Sequence, residues 1–221
     1  MWKSQNDRVM TRLILASTSP RRAEILTALG IPFTVDSTDV DETVSPGEPG
    51  RAAASRLAAA KAAVSAARRP GDWVLAADTL VLLGDAILGK PRDDSEARGM
   101  LRRLSGRDHR VVTAVHLTKA RGPGLEAVEE SLVKIALLDD EEIRWYVSTG
   151  EPLDKAGAYA VQGLGARFVE SVEGSFTNVM GLPARSVYRL LREAPDPALA
   201  RLALSSAPAS SRTSENPLPR V

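Results

Sequence analysis

A cluster of hydroxyl and guanidinium groups follows the first apolar run of the chain. Residues 17–22 read Ser-Thr-Ser-Pro-Arg-Arg and come directly after the apolar residues 13–16. The free N–H groups and the dipole of a helix N-terminus, together with paired arginines, are suited to binding phosphate. The glycines and the lysine of a P-loop are missing, so a capped helix with two solvated arginines is the alternative interpretation of this spacing.

A single carboxylate interrupts the apolar run at residues 73–83. Asp78 lies in the middle of this run, and Thr79 follows it. Burying an unpaired carboxylate costs on the order of several kcal/mol, so Asp78 should have a cation, a metal or a catalytic role. The alternative is an acid that ends a strand and caps a turn. Lys90, just beyond a predicted hairpin turn at Gly84-Asp85, can return a positive charge to the same place.

A stretch of small residues at 154–165 carries polar side chains. Gln162 offers both a donor and an acceptor for the edge of a base, and the neighbouring glycines permit close approach of a ligand. A plain loop is the alternative interpretation. Asp41 and Glu42 are adjacent oxygen donors of the kind that Mg²⁺ or Mn²⁺ prefers, although adjacent acids are also common on surface turns.

Strands and helices that alternate along the chain have to position these groups, and this alternation is typical of an α/β domain. We predict strands at residues 13–16, 73–77, 80–83, 86–88, 111–117 and 128–137, and a hairpin at 167–172 and 176–179. Helices are predicted at residues 20–29, 51–68, 93–105, 139–150 and 183–192, the third and fourth beginning at capping boxes. In open α/β sheets ligands collect outside strand ends, which is where the polar segments fall.

The composition restricts the classes of partner and of chemistry. The chain has 221 residues, with 29 Lys and Arg against 28 Asp and Glu, a formal net charge of +1, and no cysteine. This balance makes nucleic acid or an anionic membrane a poor principal partner, and the lack of cysteine excludes disulfides, thiol nucleophiles and thiolate metal sites. No apolar run approaches the roughly 20 residues of a membrane span, so we expect a cytoplasmic protein.

Both ends of the chain differ in composition from its body. We predict a flexible extension at residues 1–10, a folded domain at 11–194 and a mostly disordered tail at 195–221, with room for a short helical turn at 198–204. The tail holds 5 of the 14 prolines and no aromatic residue. Such a segment cannot bury enough surface to offset the entropy lost on ordering.

Several of these segments together resemble the Maf family of nucleoside triphosphate pyrophosphatases. They occur in order over residues 11–192: Leu-Ala-Ser-Thr-Ser-Pro-Arg-Arg at 15–22, Val-Asp-Glu at 40–42, Ala-Ala-Asp-Thr at 76–79, Leu-Gly-Lys-Pro at 88–91, Leu-Ser-Gly-Arg at 104–107, residues 151–165, and Val-Met-Gly-Leu-Pro at 179–183. The resemblance implies a mixed twisted sheet with flanking helices, in two lobes around a central cleft, like that of inosine triphosphate pyrophosphatase. It also implies release of pyrophosphate from a nucleotide with a divalent cation, Mg²⁺ or Mn²⁺.

The resemblance also implies roles for individual residues. Asp78 matches the proton acceptor of the family, and Asp41 and Glu42 are the candidate metal ligands, either of which can be the one that binds. The positions that match phosphate-side residues of the family are Ser17, Arg21, Arg22, Lys61 and Lys90. The positions that match those distinguishing the branch that acts on dTTP and UTP are Arg21, Thr79 and Gln162. We expect a nucleoside triphosphate as substrate, and a homodimer is a further expectation.

Two other classes of function are open at this stage. The same cleft can serve a non-catalytic, nucleotide-binding regulator of septation, which would bind a nucleotide without releasing pyrophosphate. A pure sensor has no use for a base such as Asp78, which favours the enzyme. Binding of single-stranded nucleic acid would need stacking aromatic side chains among basic residues, and the three Trp, three Tyr and three Phe residues form no such platform in the sequence.

Overall fold

The structure of the protein, a computed structural model, describes residues 12–120 and 122–204. The strands within these residues are β1 (Leu13–Leu15), β2 (Thr34–Val35), β3 (Trp73–Leu83), β4 (Ala86–Leu88), β5 (Asp108–Lys119), β6 (Leu125–Ile135) and β7 (Val169–Glu173). The helices are α1 (Pro20–Ala28), α2 (Gly50–Arg68), α3 (Asp94–Leu104), α4 (Asp140–Ser148), α5 (Phe176–Met180), α6 (Ala184–Glu193) and α7 (Pro197–Leu202). Three short 3₁₀ turns follow α4, at Glu151–Asp154, Ala156–Ala158 and Leu164–Phe168.

The strands form one mixed sheet in the order β2-β1-β3-β5-β6-β7, and β4 pairs with the second half of β3. β1 runs parallel to β2 and β3, whereas the pairs β3–β5, β5–β6 and β6–β7 are antiparallel. This mixed sheet with flanking helices confirms the fold class predicted from the sequence.

Alternate residues of β3 face different helices, since side chains along a strand point in turn to the two faces of the sheet. Val74 and Ala76 pack against α2, in an apolar cluster with Ala62. On the opposite face, Trp73 belongs to a cluster shared with α1, α6 and α7, whereas Val81 belongs to a second cluster shared with α3 and α4. These two apolar cores form two lobes on one face of the sheet, and Met180, which packs against both, lines the cleft between them. Lys61 and Asp78 continue the lining on the face that α2 covers.

Helix α2 lies close to the sheet because its buried face consists of small side chains. Ala53, Ala54, Ala58 and Ala62 have no exposed surface. Alanine also has the highest helix propensity, so this long helix is favoured locally as well as by packing. Lys61 is buried on the same face of α2, and its ammonium group therefore lies against β3.

Carboxylates begin two of the helices, as the sequence predicts. The capping box of Asp139 and Glu142 is complete at α4, because each side chain accepts from the other residue's backbone N–H. At α3, Asp93 accepts from the backbone N–H of Glu96, but the Glu96 carboxylate turns to the backbone and guanidinium of Arg92. Helix α3 therefore has half of the predicted box.

Two predicted elements are wrong. β3 is one unbroken strand from Trp73 to Leu83, because its ladder to β5 runs through Asp78, which is paired with Ala114. The second half of the hairpin predicted at 176–179 is helix α5, which begins where the Ser175 hydroxyl accepts from the backbone N–H of Asn178. A cap at a residue that the sequence presents as a turn accounts for this change from strand to helix.

A helix lies inside the segment predicted as a tail from residue 195, at the place where the sequence leaves room for a helical turn at 198–204. Helix α7 begins at Pro197, after Asp196 caps it, and Leu199 is fully buried in the core that contains α1 and α6. The indole N–H of Trp73 donates to Asp196 Oδ2 at 3.0 Å. The packed domain therefore extends at least to Leu204, while the remainder of the predicted tail, 205–221, and the predicted extension at 1–10 lie outside the described residues. Among the described residues, no helix is long and apolar enough to cross a membrane.

Candidate active site

The cleft between the lobes contains a cavity of about 510 Å³. Its walls come from the end of β1 and the start of α1, the middle of β3, the loop after α4, and the end of α5. The sequence-predicted residues that line it are Ser17, Arg21, Arg22, Glu42, Lys61, Asp78, Thr79, Lys90 and Gln162. The three polar segments singled out in the sequence therefore meet in one place.

Arg22 is held on one wall by three oxygen atoms of the protein. Its Nε donates to the carbonyl of Gly181 at 2.8 Å, Nη1 to Ser17 Oγ at 3.2 Å, and Nη2 to Thr79 Oγ1 at 3.1 Å. Burial lowers the pKa of Arg22, an effect that the charge of Asp78 opposes. A guanidinium fixed by the first turn of α1, β3 and the end of α5 is a rigid positive group rather than a solvated one.

The start of α1 faces the cavity without a side-chain cap. Ser19 is the N-cap residue, but its hydroxyl makes no capping hydrogen bond, and Pro20 at the first helical position has no N–H to donate. The Ser17 hydroxyl instead accepts from the backbone N–H of Ser19 at 3.1 Å. The helix terminus and the buried Arg22 thus present positive potential to the same wall of the cavity.

Lys61 lies between two carboxylates on the opposite wall. Its Nζ is 2.6 Å from Asp78 Oδ1 and 2.7 Å from Glu42 Oε1. Asp78 and Lys61 are buried, with exposed fractions of 5% and 7%, so each needs the other's charge. For Glu42, burial raises the pKa, but the hydrogen bond and charge of Lys61 outweigh it, and the pKa is lowered.

The remaining predicted residues lie around the mouth of the cavity. Nη1 of Arg21 donates to Asp154 Oδ2 at 3.3 Å, and the same carboxylate pairs with Lys155 at 2.5 Å. Lys90 and Gln162 are exposed and also line the cavity. Their side chains can therefore contact the part of a ligand that extends beyond its phosphate groups.

The predicted metal pair separates into one residue at the site and one outside it. The Asp41 carboxylate accepts from the backbone N–H of Thr43 at 2.9 Å, and Asp41 is not among the residues that line the cavity. No group of three His, Cys, Asp or Glu side chains suited to a metal occurs in the described part of the chain. Glu42 nevertheless fits Mg²⁺, which is commonly bound by one or two carboxylates together with the phosphates of a substrate.

Several groups that build the site carry no signal in the sequence. The Gly181 carbonyl that holds Arg22 belongs to the backbone, which residue type does not reveal. Thr113 bonds to Thr79 at 3.0 Å and donates to the Asn178 carbonyl at 3.0 Å, so it fixes the residue beside Arg22 from a neighbouring strand. Such partners depend on strand register, which becomes visible only in the folded sheet.

An α/β domain whose cleft combines a fixed arginine, a lysine between carboxylates and an open helix N-terminus is of the class that binds phosphorylated small molecules. The sequence profile of the family described as Maf-like protein matches residues 12–194. The chain belongs to this Maf family.

Relatives named dTTP/UTP pyrophosphatase are similar to the chain over most of its length. The protein of Anaeromyxobacter dehalogenans (strain 2CP-1 / ATCC BAA-258) is 54% identical over 186 residues, which are 83% of this chain and 94% of the relative. The protein of Myxococcus xanthus (strain DK1622) is 53% identical, over 83% of this chain and 93% of its own length. That of Symbiobacterium thermophilum is 47% identical, over 83% and 94%.

Solved structures overlap the chain less extensively. The Staphylococcus aureus Ham1 protein aligns with a TM-score of 0.43 at 16% identity, over 57% of this chain and 72% of that protein. A HAM1 protein from Coxiella burnetii aligns with a TM-score of 0.43 at 21% identity, over 57% and 74%.

Proposed function

We propose that this chain is a nucleoside triphosphate pyrophosphatase that hydrolyses dTTP and UTP to the nucleoside monophosphate and pyrophosphate. The observation that carries the proposal is the buried Asp78 carboxylate, which shares Lys61 with Glu42 in a cavity that also holds Arg22. Membership of the Maf family and the names of relatives at 47–54% identity support the same activity.

The positive groups of the cavity are suited to a triphosphate. A triphosphate carries up to about four negative charges, which a nearly neutral protein has to meet with local cations rather than with its whole surface. Arg21, Arg22, Lys61 and Lys90 line the cavity, and Arg22 is already fixed by protein oxygens. Pre-positioned cations of this kind stabilise the charge that develops on a leaving pyrophosphate.

Asp78 is the residue that we assign as general base. Lys61 binds Oδ1, and among the residues described no hydrogen bond reaches the other carboxylate oxygen. That oxygen can accept a proton from a water molecule that attacks the α-phosphorus. On one side of β3 the backbone of Asp78 is paired with Ala114 of β5, which keeps the carboxylate in place. On the other side β1 is paired only as far as Leu75, so the carboxylate lies where that edge of β3 is open.

Glu42 is the residue that would hold a divalent cation, Mg²⁺ or Mn²⁺, together with the phosphates. Such a cation supplies charge neutralisation at the phosphate oxygens and acidifies water. Glu42 is suited to this role because Lys61 and the positive charges of Lys90 and Arg22 overcome the effect of its burial and lower its pKa, which keeps it anionic at neutral pH. We leave Asp41 out of the proposed ligand set because its carboxylate faces Thr43.

Gln162 and Arg21 are suited to reading the base. The amide of Gln162 can donate to a carbonyl of uracil or thymine and accept from the imide N–H. Arg21 lines the same cavity and is paired with Asp154. Thr79 is the third position that the family resemblance links to the choice of base. Its hydroxyl accepts a hydrogen bond from Arg22, so its effect is indirect.

We also propose that the enzyme works in the cytoplasm on free nucleotides. The assembly that we expect is a homodimer. Analytical ultracentrifugation of the full chain tests the assembly. The alternative function, a non-catalytic nucleotide-binding regulator of septation, shares the phosphate cradle but gives no role to a base beside it.

The experiment that tests the proposal is a panel of nucleoside triphosphates assayed for pyrophosphate with Mg²⁺ and with Mn²⁺. We expect release from UTP and dTTP, and a fall of about 10²-fold or more in turnover for Asp78→Asn, the scale of a lost general base. Asp85→Asn, in the exposed β3–β4 turn, is the matched control and should retain full turnover. Nucleotide binding without pyrophosphate release would favour the regulator.

A further inference from the structure

The position of the Gln162 amide is set by the backbone of the loop that carries it. Gln162 lines the cavity and is exposed. In the part of the chain that the structure describes, no hydrogen bond to another side chain or to the backbone holds its amide. Whatever fixes the loop around Gln162 therefore decides where the amide points.

A single carboxylate fixes the loop on the C-terminal side of Gln162. Oε2 of Glu151 accepts from the backbone N–H of Leu164 at 2.9 Å, and Oε1 accepts from the backbone N–H of Gly165 at 3.0 Å. Burial raises the pKa of Glu151, but these backbone hydrogen bonds and that of Tyr146 outweigh it, and the pKa is lowered. Glu151 is therefore an anion at neutral pH and can accept all of them.

A phenol bound to the same carboxylate fixes the loop on the N-terminal side. The hydroxyl of Tyr146 donates to Glu151 Oε1 at 2.8 Å and accepts from the backbone N–H of Ala160 at 3.1 Å. Tyr146 is fully buried in the core that contains α3 and α4. The backbone is therefore held by hydrogen bonds on both sides of Gln162. Glu151 accepts those on one side directly and binds the Tyr146 hydroxyl that accepts the one on the other side.

Two positions of this loop have to be glycine because the backbone lies so close to Glu151 and Tyr146. A Cβ atom on Gly163 would lie 2.6 Å from the carboxyl carbon of Glu151, and one on Gly165 would lie 2.5 Å from the Tyr146 hydroxyl. Both distances are too short for any side chain. The small residues therefore permit the loop to close onto the carboxylate, which gives them a local purpose besides close approach to a ligand.

We propose that Glu151, acting with Tyr146, is a positioning residue for base recognition: it holds the loop that carries Gln162 in the orientation that distinguishes uracil and thymine from cytosine. This inference rests on the proposed function, because it takes Gln162 as the residue that reads the base. Glu151 itself touches no substrate in this account. Its effect should therefore appear in discrimination between bases and not in the chemistry at the phosphates.

The test is equilibrium binding of the α,β-methylene analogues of UTP and CTP, measured by calorimetry. We expect the unaltered protein to bind the UTP analogue more tightly than the CTP analogue. Glu151→Gln leaves one side-chain oxygen to accept the hydrogen bonds that two oxygens accept in the unaltered protein. Tyr146→Phe removes only the hydroxyl that binds Glu151 and Ala160. Each should reduce the ratio of the two affinities by about tenfold, by weakening the UTP analogue alone.

Two further variants separate positioning from a general loss of structure. Glu141→Gln, at an exposed position of α4, makes the same chemical change away from the loop and should leave the ratio unaltered. In a Gln162→Ala background, adding Glu151→Gln should change the ratio no further, because both act through one group.

Three results with the variants would overturn the inference. They are equal weakening of both analogues in both anchor variants, an unchanged ratio, or an additional full loss in the Gln162→Ala background. Equal affinities of the unaltered protein for the two analogues would overturn it outright. Absence of pyrophosphate release from UTP, with the predicted binding ratios intact, would instead overturn only the proposed function.

Discussion

The ammonium group of Lys61 joins α2 to the middle of β3, since its Nζ lies 2.6 Å from Asp78 Oδ1 while both side chains are buried. A second carboxylate, that of Glu42, lies 2.7 Å from the same nitrogen. One buried cation therefore balances the acid that we assign as base and the acid that we assign to the metal. The fold and the reaction depend on the same contact.

Removing this cation should destabilise the fold more than removing both members of the pair. Lys61→Met leaves the buried Asp78 without its partner, and we expect a loss of about 3 kcal/mol in the free energy of unfolding. The double variant Lys61→Met, Asp78→Asn should lose less, with a coupling of at least about 1 kcal/mol by urea denaturation. Additive losses would show that the two groups are stabilised independently.

Base selection should depend on the amide of Gln162. Gln162→Glu keeps the length of the side chain but replaces its donor with an acceptor that faces a carbonyl, a mismatch of about 1–3 kcal/mol. We expect kcat/KM for UTP and dTTP to fall roughly ten- to a hundred-fold, and that for CTP to fall less. Lys90→Ala is the comparison and should weaken all triphosphates alike. Equal losses for the three nucleotides with Gln162→Glu would make Gln162 a scaffold residue.

Helix α7 should contribute to the stability of the domain. Leu199 is fully buried against the core shared by α1 and α6, so Leu199→Ala should cost about 2–5 kcal/mol of the free energy of unfolding. Leu204→Ala makes the same change at a residue that is 63% exposed and should stay within about 0.5 kcal/mol of the unaltered protein. Chemical denaturation of the two variants checks this, and a harmless Leu199→Ala would show that α7 adds nothing to the stability of the domain.

The stability of the fold should fall in mild acid because of His109. Burial lowers the pKa of this histidine from 6.5 to about 4, against an opposing effect of Asp108. The unfolded chain gains a proton near pH 6.5 and the folded chain only near pH 4, so the stabilisation is complete above pH 6.5 and decreases as the pH falls towards 4. Between pH 7.5 and 5 this amounts to about 2 kcal/mol.

His109→Gln removes the titrating group and should make the loss of stability between pH 7.5 and 5 smaller by about that amount. The variant also loses the contact of Nε2 with the Tyr159 hydroxyl at 2.8 Å, which lowers stability at both pH values alike. The comparison is therefore of the two differences, measured by urea denaturation. The same pH dependence in both proteins would mean that His109 does not titrate on unfolding.

The residue types at 17–22, Asp78 and Gln162 drew attention to positions that the fold brings to one cavity, because charged and amide groups among apolar or small residues are rare without a partner. Lys61 was indicated by the family resemblance alone, since a lysine on a long helix is ordinary. The chemistry of Asp41 and Glu42 is identical, and only the folded loop turns one to Lys61 and the other to Thr43. The sequence alone therefore does not show which of two adjacent carboxylates faces the site.

The strand predicted at 176–179 is the clearest error in the fold. These residues form α5, and their structure is decided by what they pack against. The side-chain amide of Asn178 on α5 donates to the Val111 carbonyl of β5, and Leu199 fills a core built by residues far away in sequence. Tertiary contacts override local propensity at such places.

The position of bond cleavage is the most direct test of the central claim, that water activated by Asp78 attacks the α-phosphorus. The full chain is incubated with UTP in water enriched in ¹⁸O, with Mg²⁺ or Mn²⁺, and the products are analysed by ³¹P NMR and mass spectrometry. Our account predicts UMP that carries one ¹⁸O atom and pyrophosphate that carries none. Label in the pyrophosphate, or release of orthophosphate with UDP, would contradict it.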